Sequence, residues 1–126
     1  MTLLSAGFLV DLMRRDAPAL ELMRRLERGS AAVRVPAIVY ADLWEAAERS
    51  RHPPREMDRV EALLRGYASV AIEARHARRA GALAARHALP LREALLVALA
   101  VEERDELVAR DARAYAGIEG LRVLTY

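Results

Sequence analysis

Leu3-Leu-Ser-Ala-Gly-Phe-Leu-Val-Asp-Leu12 decides how this chain begins to fold. The apolar run Thr2–Ser5 ends in three small residues, Ser5, Ala6 and Gly7, and helical spacing takes over at Phe8. Small residues let a chain reverse closely, so the stretch predicts a buried strand, a tight turn and a short helix over Phe8–Arg15. Asp16-Ala-Pro18 then opens a second helix, with a capping carboxylate and a proline tolerated in the first turn. Gly29-Ser30 stops it.

Strand and helix keep alternating along the rest of the chain. Val-rich Ala32–Val35 predicts a second strand, and Pro36 to about Ser50 a helix with Ile38, Val39, Leu43, Trp44 and Ala47 to bury. His52-Pro-Pro54 breaks the pattern before an amphipathic helix over Arg55–Tyr67. Strands are expected at Ser69–Ile72, Glu106–Ala109 and Leu121–Leu124, and helices at Ala74–Ala88 and Arg92–Arg104. Ala112–Tyr115 reads as a helical turn. Short aliphatic runs separated by helices indicate crossover units, hence an α/β fold with a mainly parallel, roughly five-stranded sheet covered on both faces. At 126 residues, one domain spanning 1–126 is expected.

Composition narrows the chemistry. Hydrophobic residues make up 54% and charged residues 30%, which excludes both a disordered tail and a membrane protein. No apolar run approaches the ~18 residues of a spanning helix. A soluble, cytoplasmic protein is expected. With no cysteine, thiolate metal sites and thiol nucleophiles are excluded. With no lysine, so are Schiff bases and phosphate-binding lysines. All 20 basic residues are arginine, and 26 positions are alanine, a bias that fits GC-rich codon usage. The net charge of +2 imposes no global basic field.

In open parallel sheets ligands collect beyond the carboxyl ends of the strands, and acids lie near those ends here. Asp111 follows the fourth strand, Glu93 opens an apolar helix, and Asp42 lies in the helix after the second strand. Three carboxylates converging from separate segments would suit a hard divalent cation. Each also has an ordinary structural role: a helix cap for Asp111, a dipole-favoured first-turn acid for Glu93, a solvated charge for Asp42. His76 and His87 share a helix face three turns apart, too far to chelate one metal, and are expected at a surface or interface. Trp44 is expected to pack or to anchor a dimer rather than to stack on a base.

The order of elements and four local strings resemble the PIN-domain family, in particular the VapC-type toxins of toxin–antitoxin pairs. Leu3–Leu12 resembles the first strand and helix; Val35-Pro-Ala-Ile-Val-Tyr-Ala-Asp-Leu-Trp-Glu-Ala46 the second motif; Leu89-Pro-Leu-Arg-Glu-Ala-Leu-Leu-Val-Ala98 the third. Leu107-Val-Ala-Arg-Asp-Ala-Arg-Ala-Tyr115 and the strand after it resemble the fourth. The resemblance implies an α/β/α sandwich and an endoribonuclease dependent on Mg²⁺ or Mn²⁺, with RNA as substrate, a cognate antitoxin as partner and a homodimer as assembly. Carried over by position, the metal-holding, catalytic acids are Asp42, Glu93 and Asp111. The first acid of the family pattern falls on Ser5, so that position is eroded. The family's usual Glu and Asp are exchanged at Asp42 and Glu93, which keeps the charges and shifts each carboxylate by about one methylene. Glu45, one turn beyond Asp42, is a candidate substitute for the missing acid. Arg92 and Arg110 flank the acids and are candidates to hold RNA phosphates.

Overall fold

The computed structural model describes all residues, 1–126. Five short strands, β1 (Thr2–Leu4), β2 (Val33–Pro36), β3 (Ala68–Val70), β4 (Glu106–Val108) and β5 (Arg122–Leu124), form one sheet in the order β3-β2-β1-β4-β5. Every neighbouring pair is parallel. Six helices connect them: α1 (Ala6–Met13), α2 (Ala17–Arg28), α3 (Ala37–Glu48), α4 (Pro53–Leu64), α5 (Ala74–His87) and α6 (Leu91–Glu103).

Successive side chains of a strand point to opposite faces, and the two core layers follow that rule. Leu4 and Val108 face a cluster with Phe8, Leu9, Leu22, Val39 and Leu43, supplied by α1, α2 and α3. Their neighbours Leu3 and Leu107 face the other way, against Ala80, Val97, Ala98 and Leu99 of α5 and α6. Both faces are therefore covered, which is why Thr2, Leu3 and Leu4 are all buried and the strand reads as continuous rather than alternating. Each fully buried leucine adds roughly 1.5–3 kcal/mol.

The chain builds outward from β1 on one side to β3, then crosses back to place β4 on the other. The strand order reverses between β1 and β4, and their carboxyl ends open there into a crevice. At the opposite end of the sheet, Asp105 is 4% exposed and is paired by Arg34 at 2.6 Å and by the Met1 amino group at 3.5 Å. No helix is long and apolar enough to cross a membrane.

Several boundaries and burials correct the expectations. α4 starts at Pro53 rather than Arg55, because both prolines fit the first helical positions, where no N–H is needed. α1 starts at Ala6, capped by Ser5, and β3 lies at Ala68–Val70. Trp44 is only partly covered by its own chain and is 38% exposed. His76 is not a surface residue but is 1% exposed. Its Nδ1 accepts the Glu73 N–H at 2.9 Å, closing a capping box at the start of α5. Its Nε2 faces Glu103 of α6 at 3.0 Å, so one imidazole joins the two helices. His87 and His52 are exposed.

Candidate functional site

A cavity of about 740 Å³ opens at the carboxyl ends of β1 and β4, and it is lined by Ser5, Asp42, Glu93 and Asp111 together. Four segments bring them there. Ser5 directly follows β1, Asp42 lies on α3, Glu93 is in the first turn of α6, and Asp111 follows β4. Arg92 and Arg110 line the same space, whereas Glu45 is not among its walls.

Local structure explains each placement. Ser5 is the N-cap of α1: its Oγ accepts the Phe8 N–H at 3.3 Å, which commits the hydroxyl to the helix. α3 and α6 both begin after a proline, Pro36 and Pro90, without a side-chain cap. Glu93 is favoured by the positive end of α6. Burial, with a smaller push from the Glu93 charge, holds the Tyr115 hydroxyl above the usual tyrosine range. Asp111 does not cap a helix, since Ala112 occupies that position of the turn Arg113–Tyr115. Instead its carboxylate accepts the backbone N–H of Arg113 at 2.9 Å and pairs with the Arg113 guanidinium at 2.8 Å. Those bonds hold the Asp111 carboxyl below the usual range.

Asp42 is in a different state. Its side chain is only 19% exposed, and burial pushes its carboxyl above the usual range, against the pull of Arg92 and with a further push from Glu45. Arg92 Nη1 stands 2.8 Å from Oδ1 and 3.3 Å from Oε1 of Glu45. The contact with Oδ1 lies off the hydrogen-bonding direction, so this buried oxygen has no hydrogen bond.

Sequence reading missed a second cluster in the cavity. Asp11, one of its walls, accepts the Tyr126 hydroxyl at 2.5 Å and pairs with Arg110 at 3.2 Å. Arg110 also pairs with Asp16 at 2.7 Å and lies over the Tyr126 ring, 4.8 Å from its centroid. Tyr126 in turn meets Phe8 edge-on, with centroids 4.9 Å apart. The partners that Asp11 and Asp16 meet here lie 94 to 115 residues away in sequence, so no local motif announces them. The cavity walls thus carry four carboxylates, Asp11, Asp42, Glu93 and Asp111, against three guanidiniums, Arg14, Arg92 and Arg110.

The donors suit a hard divalent cation in kind. They are all oxygens, one of them a buried carboxylate oxygen that is ion-paired but not hydrogen-bonded, and Mg²⁺ commonly takes only one or two protein carboxylates beside water. No three acidic or imidazole groups are gathered tightly enough to hold an ion between them.

A family model for the PIN domain matches residues 3–118. The chain belongs to the PIN-domain family. Solved structures agree on this fold. VapBC2 from Rickettsia felis, bound to a DNA fragment from its promoter, matches with a TM-score of 0.88 over 99% of this chain and 98% of that one, at 14% identity. A toxin–antitoxin complex from Klebsiella pneumoniae matches with a TM-score of 0.77 at 24% identity, over 96% and 95%. VapC20 of Mycobacterium tuberculosis, a toxin that cleaves the sarcin–ricin loop, matches with a TM-score of 0.73 at 16% identity, over 97% and 99%. No curated protein matches the sequence. Within the PIN family, the cavity at the β1–β4 crevice is where this chain has its convergent acids.

Proposed function

We propose that this PIN-domain chain is the toxin of a VapBC-type toxin–antitoxin pair, a cytoplasmic endoribonuclease dependent on Mg²⁺ or Mn²⁺. The observation that carries the reading is the convergence of Asp42, Glu93 and Asp111 from three segments onto one cavity at the strand ends. Asp42 and Glu93 would hold the ion, and Asp111 would join them as third donor on turning from Arg113, which it pairs with at 2.8 Å. When bound, the ion would activate a water and neutralise charge developing on the scissile phosphate. The chain's own contribution is to place acids and arginines around one cavity. Arg92 and Arg110 present planar guanidiniums suited to bidentate contact with phosphate oxygens, and Arg14 adds a third cation. The N-termini of α1 and α6 also end at the cavity, where their partial positive charge favours an anion. An antitoxin is the expected protein partner. For the homodimer, exposed Trp44 supplies the anchor, and mass in solution checks it: a monomer after Trp44→Ala is expected.

A second reading, a PIN protein that binds RNA or its partner without cleaving, is favoured by one observation. Ser5 offers a neutral hydroxyl already engaged by Phe8 where the family pattern has an acid. Incubating purified protein with RNA, with Mn²⁺ and with chelator, separates the two. Mn²⁺-dependent cleavage that disappears in Glu93→Gln establishes the nuclease; RNA retention without cleavage in the presence of Mn²⁺ establishes the binder.

A further inference from the structure

We propose that Arg92 is a built-in competitor for the divalent cation at Asp42, so that a metal ion enters this cavity by displacing a guanidinium. The inference rests on the reading of Asp42 as a metal ligand.

Arg92 and Glu93 are adjacent at the start of α6, so the helix brings a cation and an unpaired acid into the cavity together. The guanidinium spans two acids one turn apart on α3, 2.8 Å from Asp42 and 3.3 Å from Glu45. It neutralises Asp42 by proximity, as an ion pair at 2.8 Å in which the buried Oδ1 receives no aligned N–H. A contact of this kind is easier to exchange than a bidentate pair aligned on both oxygens.

The two arginines of the cavity differ in how they are held. Arg110 is fixed by Asp11, Asp16 and the face of Tyr126. Arg92, equally exposed, has no aromatic support, so it can swing away from Asp42. At rest the site is filled by its own arginine, and metal affinity is set by the exchange.

The test is Mn²⁺ titration calorimetry on the full chain without RNA, comparing wild type, Arg92→Gln, Arg92→Lys, Asp42→Asn and the Arg92→Gln/Asp42→Asn double variant. Arg92→Gln is expected to bind Mn²⁺ at least about tenfold more tightly than wild type, and Asp42→Asn to remove that gain. Arg92→Lys, which keeps the charge and loses the planar fork, should stay within a few-fold of wild type. Arg92→Gln binding no more tightly than wild type, while Asp42→Asn still weakens binding, would overturn the competitor and leave Asp42 as a ligand. Mn²⁺ affinity indifferent to Asp42→Asn in both backgrounds would remove the ligand reading and the competitor with it. Position 92 is exposed, and thermal melts of each variant confirm that it is folded.

Discussion

The hydroxyl of Ser5 accepts the backbone N–H of Phe8 at 3.3 Å, so the residue in the family's first acidic position caps a helix. Aspartate caps as well as serine does, and better than alanine. Ser5→Ala is therefore expected to cost about 1 kcal/mol in urea denaturation. Ser5→Asp should leave stability within about 0.5 kcal/mol of wild type while adding a carboxylate to the cavity. Cleavage of RNA in Mn²⁺ should then rise by about tenfold or more, the scale of one added ligand or orienting partner. A Ser5→Asp variant that is stable and no more active would show that the charge at this position is dispensable.

At the far end of the sheet, Asp105 is buried against Arg34 at 2.6 Å. Removing one partner of a buried pair leaves the other charge uncompensated, so Asp105→Ala is expected to lose about 3 kcal/mol. The double variant Asp105→Ala/Arg34→Met should recover much of it. Because this pair lies at the end opposite the cavity, Mn²⁺ affinity of folded protein should not change. Equal stability of Asp105→Ala and wild type in chemical denaturation would contradict the pairing.

His76 accepts from Glu73 through Nδ1 and faces Glu103 through Nε2, using both nitrogens inside a closed interface. Alanine there removes a cap and one of the two side-chain hydrogen bonds to Glu103, at an expected cost of about 2 kcal/mol. Amide hydrogen exchange should localise the loss to the first turn of α5. Uniform loss of protection across the sheet would contradict a local role.

The acid side of the stability profile follows from the same helices. Hydrogen bonds from His76 and Arg75 hold the Glu103 carboxyl below the usual range, and Arg79 does the same for Glu102. Depressed acids stabilise the fold above their unfolded pKa, about 4.3 for glutamate, and lose that contribution as pH falls through the lower folded value. Asp42 has the opposite sign, since burial raises its carboxyl and protonation relieves the cost of burying its charge. Melts between pH 7 and pH 3 should therefore show falling stability, shallower in Glu103→Gln and steeper in Asp42→Asn. A Glu103→Gln profile parallel to wild type would refute the assignment.

Alternation of short aliphatic strands with amphipathic helices made the sheet, its parallel sense and each element legible in order. Boundaries slipped most clearly where one residue serves two roles, as Ser5 does in directly following β1 and capping α1, or Pro53 in breaking one segment and starting the next. Of the four acids that line the cavity, Asp42, Glu93 and Asp111 were legible by position and Asp11 was not. What the sequence concealed is pairing across long separations. Nothing near Asp11 predicts Arg110 or Tyr126, and nothing in an arginine-rich helix says that His76 turns inward to Glu103. Trp44, expected to pack or to anchor a dimer, is 38% exposed, which leaves much of its indole for a partner outside the chain.

If Asp42, Glu93 and Asp111 surround one cation site, a crystal grown with Mn²⁺ will show it. Anomalous scattering collected at the manganese edge is the most direct measurement. Expected is a single strong anomalous peak in the β1–β4 cavity, with Asp42 and Glu93 oxygens at about 2.0–2.3 Å and Arg92 turned away. A peak outside the cavity, or an empty cavity at Mn²⁺ concentrations that support RNA cleavage, would contradict it.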